Sequence, residues 1–226
     1  MSADPLATLD DRQRARLETV LQLLAEERAS VSSVVDDRAW QVHVADSLTG
    51  LEVPELREAG RIADVGAGAG FPGLALAVAL PEAQIDLIES VGRKCEFMRR
   101  AAEAAGIVNA RVLNARSEDI AAEAGRESYD AVAARAVGRL STLAELASPL
   151  LKPNGVLVAW KGKRDPEEEE QLVNASAALA MAPERVLAVG DRAGSQHRHL
   201  HMVRKTGPTP PNLPRNPGIA KNRPKG

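Results

Sequence analysis

Between Arg61 and Gly73 the chain reads RIADVGAGAGFPG. An apolar run enters a loop with glycine at every second position, Gly66, Gly68 and Gly70, and a fourth, Gly73, follows Phe71-Pro72. Glycine allows a tight turn and lets a ligand approach the backbone closely. In an open α/β sheet, ligands bind at the carboxyl ends of the strands, and the first strand-to-helix turn is such a place. Glu89 stands 21 positions after Gly68, at the end of a second apolar run, where a carboxylate can accept two ribose hydroxyls. Two nucleoside cofactors answer to this description, NAD and S-adenosylmethionine. Gly68-x-Gly70-x-x-Gly73 matches the dinucleotide pattern GxGxxG, which alone is a weak signal, and Glu89 suits both.

Three further features favour S-adenosylmethionine. Asp64 sits two residues before Gly66, and a strand-end carboxylate there suits the cationic methionine end of the cofactor while repelling a pyrophosphate. Pro72 lies inside the would-be dinucleotide pattern and removes a backbone donor that a pyrophosphate would use. The turn Lys152-Pro153-Asn154-Gly155 and a final antiparallel hairpin fit a seven-stranded methyltransferase sheet.

The elements that must position these residues follow from periodicity. Apolar residues Leu17, Val20, Leu21, Leu24 and Ala25 predict a helix from Leu6 to about Ala29. A second short helix is expected over Asp36–Leu48. From Gly60 strands and helices alternate. Strands are expected at Ile62–Val65, Gln84–Glu89, Ala110–Leu113, Asp130–Ala134, Val156–Trp160, Arg185–Val189 and His199–Val203. Helices are expected at Gly73–Leu80, Gly92–Ala105 (closed by Gly106) and Leu140–Leu151, with a further one opened by Glu167–Glu170, whose charges suit a helix start and a solvated face. This alternation predicts an α/β fold with a mostly parallel, Rossmann-like sheet covered on both faces. The last two strands are too close for a crossover and should pair antiparallel. The expected organisation is a helical extension (1–58), a cofactor-binding domain (59–204) and a basic, proline-rich tail (205–226), extended or disordered.

A chain of 226 residues that is 44% hydrophobic is long enough to bury a core. It has five aromatic residues, Trp40, Phe71, Phe97, Tyr129 and Trp160, so any base-stacking platform is sparse. A single cysteine, Cys95, excludes an internal disulfide and reads as a semi-buried helical thiol. No apolar run approaches a membrane span or a signal region, and a cytoplasmic protein is expected. The net charge of −2 hides an asymmetry. From Arg204 onward there are six basic residues and no acidic one, which leaves 23 basic against 31 acidic in the remaining 203. An acidic body with a cationic tail suggests a polyanionic partner, or else a merely solubilising tail.

Nearly the whole chain resembles the bacterial small-subunit (16S) ribosomal RNA guanine-N7 methyltransferases, once called glucose-inhibited division protein B. The resemblance is carried by HVADS (His43–Ser47), DVGAGAGFPG (Asp64–Gly73), LIESVGRKCEFM (Leu87–Met98), ARSED (Ala115–Asp119), ARAV (Ala134–Val137), WKG (Trp160–Gly162) and RHLHMV (Arg198–Val203). The family's aromatic-Asn-Leu-Thr stretch is replaced by ASVSSV, Ala29–Val34, and its usual aspartate after strand two by Glu89. The resemblance implies a class I methyltransferase fold and cofactor contacts at Gly66, Phe71, Ser117, Glu118 and Arg135. Read without the fold before it, Ser117-Glu118 is better taken as a plain helix start.

Guanine N7 has a lone pair and no proton, so its methylation needs no general base, and catalysis reduces to positioning. Arg135 and Lys161 are expected at strand ends on the ligand side. An arginine donating to guanine O6 and N7 together would block the nucleophile, so these cations are assigned to phosphate, to O6 alone or to the methionine carboxylate. Arg215, Lys221 and Arg223 of the tail are assigned to RNA phosphate. His197, His199 and His201 alternate; a metal site is conceivable, but an outward-facing polar strand fits better and no metal is expected. His43 is read as a packing histidine, with RNA contact as its alternative. The expected protein is a monomer that binds 16S RNA or the small subunit. The competing readings are a methyltransferase of small molecules or protein, an NAD(P)-dependent oxidoreductase and a non-catalytic RNA-binding module.

Overall fold

The structure is a computed structural model that describes residues 9–27, 34, 36, 38–190 and 197–225. Helix α1 spans Asp11–Glu26, starting where Asp10 and Gln13 form a reciprocal capping box, and it buries Leu17, Val20 and Leu24. It is shorter than the helix expected from Leu6 to Ala29, since Asp10 and Glu27 are both extended; residues 6–8 and 28–29 lie outside the described residues. Where one helix was expected over Asp36–Leu48, the chain makes π-helical turns at Trp40–Ala45 and then α2 (Asp46–Leu48). A 3₁₀ turn at Thr49–Glu52 and α3 (Pro54–Arg57) follow, neither marked by periodicity.

The core is a seven-stranded sheet, ordered β3-β2-β1-β4-β5-β7-β6. Its strands are β1 (Arg61–Val65), β2 (Gln84–Glu89), β3 (Ala110–Asn114), β4 (Tyr129–Arg135), β5 (Leu151–Lys161), β6 (Met181–Ala188) and β7 (His199–Lys205). The first five are parallel, and β7 runs antiparallel between β5 and β6, as the short final connection requires. The connecting helices are α4 (Gly73–Ala79), α5 (Gly92–Ala104), α6 (Ser117–Ala122), α7 (Leu140–Ala147) and α8 (Pro166–Leu179), and α9 (Ile219–Asn222) lies near the carboxyl terminus.

Alternation along the strands splits the core in two. Ile62, Ile85 and Leu87 pack with α1, α4 and α5 on one face. Ala63, Val65, Ile88 and Val132 pack with α7 and α8 on the other. The amino-terminal extension is locked to the sheet by Trp160, buried at the end of β5, whose Nε1 donates to Asp46 O at 2.8 Å.

Several expectations are corrected. The turn at Lys152–Gly155 lies within β5 as an irregularity: pairing with β4 jumps from Tyr129↔Leu151 to Ala131↔Val156, and Asn154 takes φ +68°. β6 begins four residues early because α8 ends on a left-handed Ala180, φ +50°, that turns straight into it. Glu168, expected on a solvated face, is buried and accepts from Leu140 N and Lys161 Nζ. Cys95 is fully buried, its Sγ 3.2 Å from Glu89 O. His201 faces inward, with Nε2 4.0 Å from Glu169 Oε1, and burial lowers its pKa; α8 covers the strand face at this position, while His199 is half-buried and His197 exposed.

The largest correction is the tail. A boundary before residue 205 cuts β7, whose last residue, Lys205, is fully buried. Its Nζ donates to Ser148 O (2.5 Å), Leu151 O (3.0 Å) and Thr209 Oγ1 (2.7 Å). Burial lowers the lysine's pKa, against the pull of Glu127. Residues 206–225 fold back on the body rather than running free. Arg126 donates to Leu213 O at 2.9 Å, Arg215 grips buried Glu145, and Ala220 of α9 is buried.

Candidate cofactor cleft

At the carboxyl edge of the sheet the glycine loop crosses from β1 over the end of β2, with Gly66 N and Ala67 N donating to Ile88 O at 2.9 and 3.1 Å. Gly66 takes φ +70°, and a Cβ there would stand 2.6 Å from Val137 Cγ2. The loop is braced from below by two carboxylates. Glu89 accepts from Gly68 N (3.1 Å) and Val91 N (2.8 Å), joining the turns after β1 and β2. Asp64, with no accessible surface, accepts from Gly73 N at 2.8 Å through Oδ2, while Oδ1 has no partner. Only a glycine lets it so close, since a Cβ on Gly73 would lie 2.7 Å from Oδ2. Desolvation pushes Asp64 up to about 7, against the Gly73 hydrogen bond and the charge of Arg135, which lower it.

Beside the loop is a cleft of about 150 Å³. Gly66 and Glu89 line one side, Ser117 and Glu118 of α6 another, and Val137 with Leu146 give it an apolar wall. Residues from positions 66, 89 and 117–118, far apart in the chain, thus line one cleft. Ser117 Oγ donates to Glu118 Oε2 at 3.1 Å. Asp64 does not line the cleft; it acts on it through the loop. Phe71 turns the other way and stacks on His43, with ring centroids 5.0 Å apart. His43 is a packing residue: buried, its Nε2 2.9 Å from Val34 O, its pKa lowered by desolvation.

The donor set fits an adenosyl group. Each oxygen of Glu89 accepts one backbone N–H and keeps acceptor capacity for a ribose hydroxyl. The apolar wall suits a purine face, and the Glu118 carboxylate suits an exocyclic amine.

The predicted cations are less free than their types suggested. Arg135 Nη1 donates to Asp46 Oδ2 and Val42 O, both at 2.8 Å, and Asp46 Oδ1 also forms an ion pair with Arg198 at 2.7 Å. The next residue, Ala136, has a strained φ of +59°. Lys161 Nζ is held by Glu168 (2.6 Å) and Gly138 O (3.0 Å). Arg215 is paired with Glu145, and Arg204 with Glu184 and Glu55. Lys221 and Arg223 are both exposed, and Lys221 lines the cleft. Sequence reasoning missed Gly218 and Lys221 as cleft residues, and Asp46 as the common partner of two arginines. The HVADS element pointed to Asp46, but no local signal pointed to Gly218. Among the described residues no group of three or more His, Cys, Asp or Glu could hold a metal. None of their helices is long and apolar enough to cross a membrane.

Sheet order, glycine loop and strand-end carboxylate together define a class I S-adenosylmethionine-dependent methyltransferase. Solved structures share the fold. A SAM-dependent methyltransferase from Aquifex aeolicus matches with TM-score 0.56 at 20% identity, covering 76% of this chain and 94% of that one. The fibrillarin pre-rRNA processing protein of Methanococcus jannaschii matches with TM-score 0.55 at 15% identity, covering 72% and 74%. Residues 14–201 match the family profile described as rRNA small subunit methyltransferase G, and the chain belongs to that family of S-adenosylmethionine-dependent rRNA methyltransferases. The Ribosomal RNA small subunit methyltransferase G of Rubrobacter xylanophilus is 43% identical over 190 residues, 80% of this chain and 71% of that one. The protein of the same name from Moorella thermoacetica is 32% identical over 227 residues, 99% and 95%.

Proposed function

We propose that this chain methylates N7 of a guanine in 16S ribosomal RNA, without a general base. The observation that supports this most is the convergence of family-motif residues from separate segments, Gly66, Glu89 and Ser117–Glu118, on one cleft. S-adenosylmethionine supplies an electrophilic methyl group on a sulfonium. The chain's residues bind and orient. Gly66, Gly68 and Gly70 give backbone access, Glu89 holds the ribose, Ser117 and Glu118 meet the purine edge, and Asp64 and Phe71 fix the loop. Arg135, clamped to Asp46, is assigned to positioning the substrate beside the loop rather than to free contact with phosphate. Lys161 is assigned to tying β5 to α8 at the same edge. Arg215 anchors the tail, and Lys221 and Arg223 are left as its phosphate contacts. Holding the nucleophile at attack distance supplies roughly 7–11 kcal/mol in favourable cases, and N7 releases no proton to be removed. The working species is read as a cytoplasmic monomer.

The test is transfer of labelled methyl to ribosomal RNA and to small subunits, followed by mapping of the modified base. A label at guanine N7 is expected, and a label elsewhere removes the proposal. Thermal shift with S-adenosylhomocysteine against NADH separates the oxidoreductase alternative, since only the former should stabilise the protein.

A further inference from the structure

The segment read from composition as a free RNA-binding tail contributes part of the cleft. Gly218 and Lys221 both line it, and Gly218 N donates to Glu118 Oε1 at 2.9 Å. This placement is built from further contacts, and of the residues that make them Thr142 alone also lines the cleft. Arg215 Nη2 lies 2.5 Å from Oε2 of Glu145, a buried residue of α7. Thr142 Oγ1 donates to Ala220 O at 3.3 Å, and Leu213 is buried with its carbonyl held by Arg126. Gly218 turns the chain toward Glu118 with φ +82°, a conformation that a β-branched residue resists.

We infer that the carboxyl-terminal segment from Arg215 is the adenosyl-side wall of the cofactor cleft, and that its docking and cofactor binding stabilise each other. The inference rests on the cleft being the cofactor site. A wall fits better than a plug. The segment is fixed by α7 and by Arg126, not by filling the cleft, and Val65, Gly66, Ile88 and Glu89 still line open space. The Gly218 N–H also holds the Glu118 carboxylate in place as an acceptor for the purine amine. Coupling of this kind is reciprocal: whatever factor docking adds to cofactor affinity, the cofactor adds to docking.

The experiment uses the full chain, a chain ending at Asn216 and Gly218→Val, each checked for native circular dichroism. Calorimetry measures S-adenosylhomocysteine and 5′-methylthioadenosine, which keeps the adenosyl part without the amino acid. Both variants should bind both ligands about tenfold more weakly, roughly one or two hydrogen bonds' worth. In the full chain, S-adenosylhomocysteine should slow amide exchange at 216–222 by a similar factor. Unchanged affinity in both variants, or unchanged exchange, overturns the inference. Tighter binding after truncation makes the segment a plug and overturns it too, as does a loss confined to S-adenosylhomocysteine. If the full chain binds neither ligand, the assignment of the cleft itself fails.

Discussion

Two aspartates on neighbouring strands, Asp64 of β1 and Asp86 of β2, are both fully buried, and they are treated in opposite ways. Asp86 lies toward the amino end of its strand and faces the α7 side. Arg111 holds both its oxygens (2.7 and 2.9 Å), and Arg61 (3.1 Å) and the Tyr129 hydroxyl (2.8 Å) complete the set. Burial raises its pKa, but these partners outweigh it and the net shift is downward. Asp64 lies at the carboxyl end on the opposite face, with one backbone donor and one orphaned oxygen, and it is pushed up to about 7. One end of the sheet satisfies its buried charge; the other leaves it under-satisfied beneath the loop that carries the candidate site. A perturbed group retained beside a candidate site and relieved elsewhere is the division expected of an enzyme scaffold.

Asp64→Asn is expected to break this comparison most sharply. Its folded pKa is raised, so the wild-type group contributes stability that is intact below about pH 3.8 and lost as pH rises to about 7. Asparagine mimics the protonated acid. The variant should gain on wild type between those values, by up to ~4 kcal/mol for a shift of about three units, and level off above pH 7. Urea unfolding at several pH values measures this. An equal difference at pH 5 and pH 8 would mean that Asp64 is not held neutral. The gain should come with weaker S-adenosylhomocysteine binding, the usual exchange of function for stability.

Asp86→Ala is expected to do the reverse, costing about 3 kcal/mol at neutral pH as one partner of a buried pair is removed. Arg61 and Arg111 are partly exposed and can rehydrate, which limits the loss. A lowered folded pKa means that the stability is present above about pH 3.8 and disappears as pH falls through the folded value. Wild type and variant should therefore converge in acid, where Asp64 and Asp64→Asn also converge, leaving the two pH profiles with slopes of opposite sign. Methyl transfer should survive in Asp86→Ala below its lowered melting point.

The loop end of this contrast was legible in the sequence and its partners mostly were not. Gly66, Gly68 and Gly70 stood out as a tight turn and all three take positive φ, Gly66 and Glu89 meet at the cleft, and β2 matched its expected bounds, Gln84–Glu89, because both its ends are marked by composition. What failed depended on contacts distant in the chain. Arg135 reads as a free cation until Asp46, 89 residues earlier, is folded beside it. Proline and lysine from 205 onward signal disorder locally, yet Lys205 finds its acceptors at Ser148 and Leu151, more than fifty residues away. His201 alternates correctly along β7, but periodicity says only which residues share a face; α8 decides that this face is covered at His201. Asp86, likewise, gave no sign in QIDLIE that three side chains from three strands would converge on it.

Tyr129→Phe is the smallest change and the sharpest probe of the satisfied end. The hydroxyl of this fully buried ring donates to Asp86 at 2.8 Å, and Arg61 lies over the ring at 4.6 Å from its centroid. Phenylalanine keeps the ring and its cation contact and removes only the donor. The expected cost is about 1.5 kcal/mol, the value of a hydrogen bond to a charged group, against the larger loss in Asp86→Ala. Because the chain has a single tyrosine, phenolate absorbance reports this residue alone. Burial and the Asp86 carboxylate raise its pKa to about 12. In Asp86→Ala the tyrosine should titrate nearer its ordinary value of about 10. If it still titrates near 12 there, burial alone holds the phenol, and Asp86 is satisfied by its arginines without the tyrosine's help.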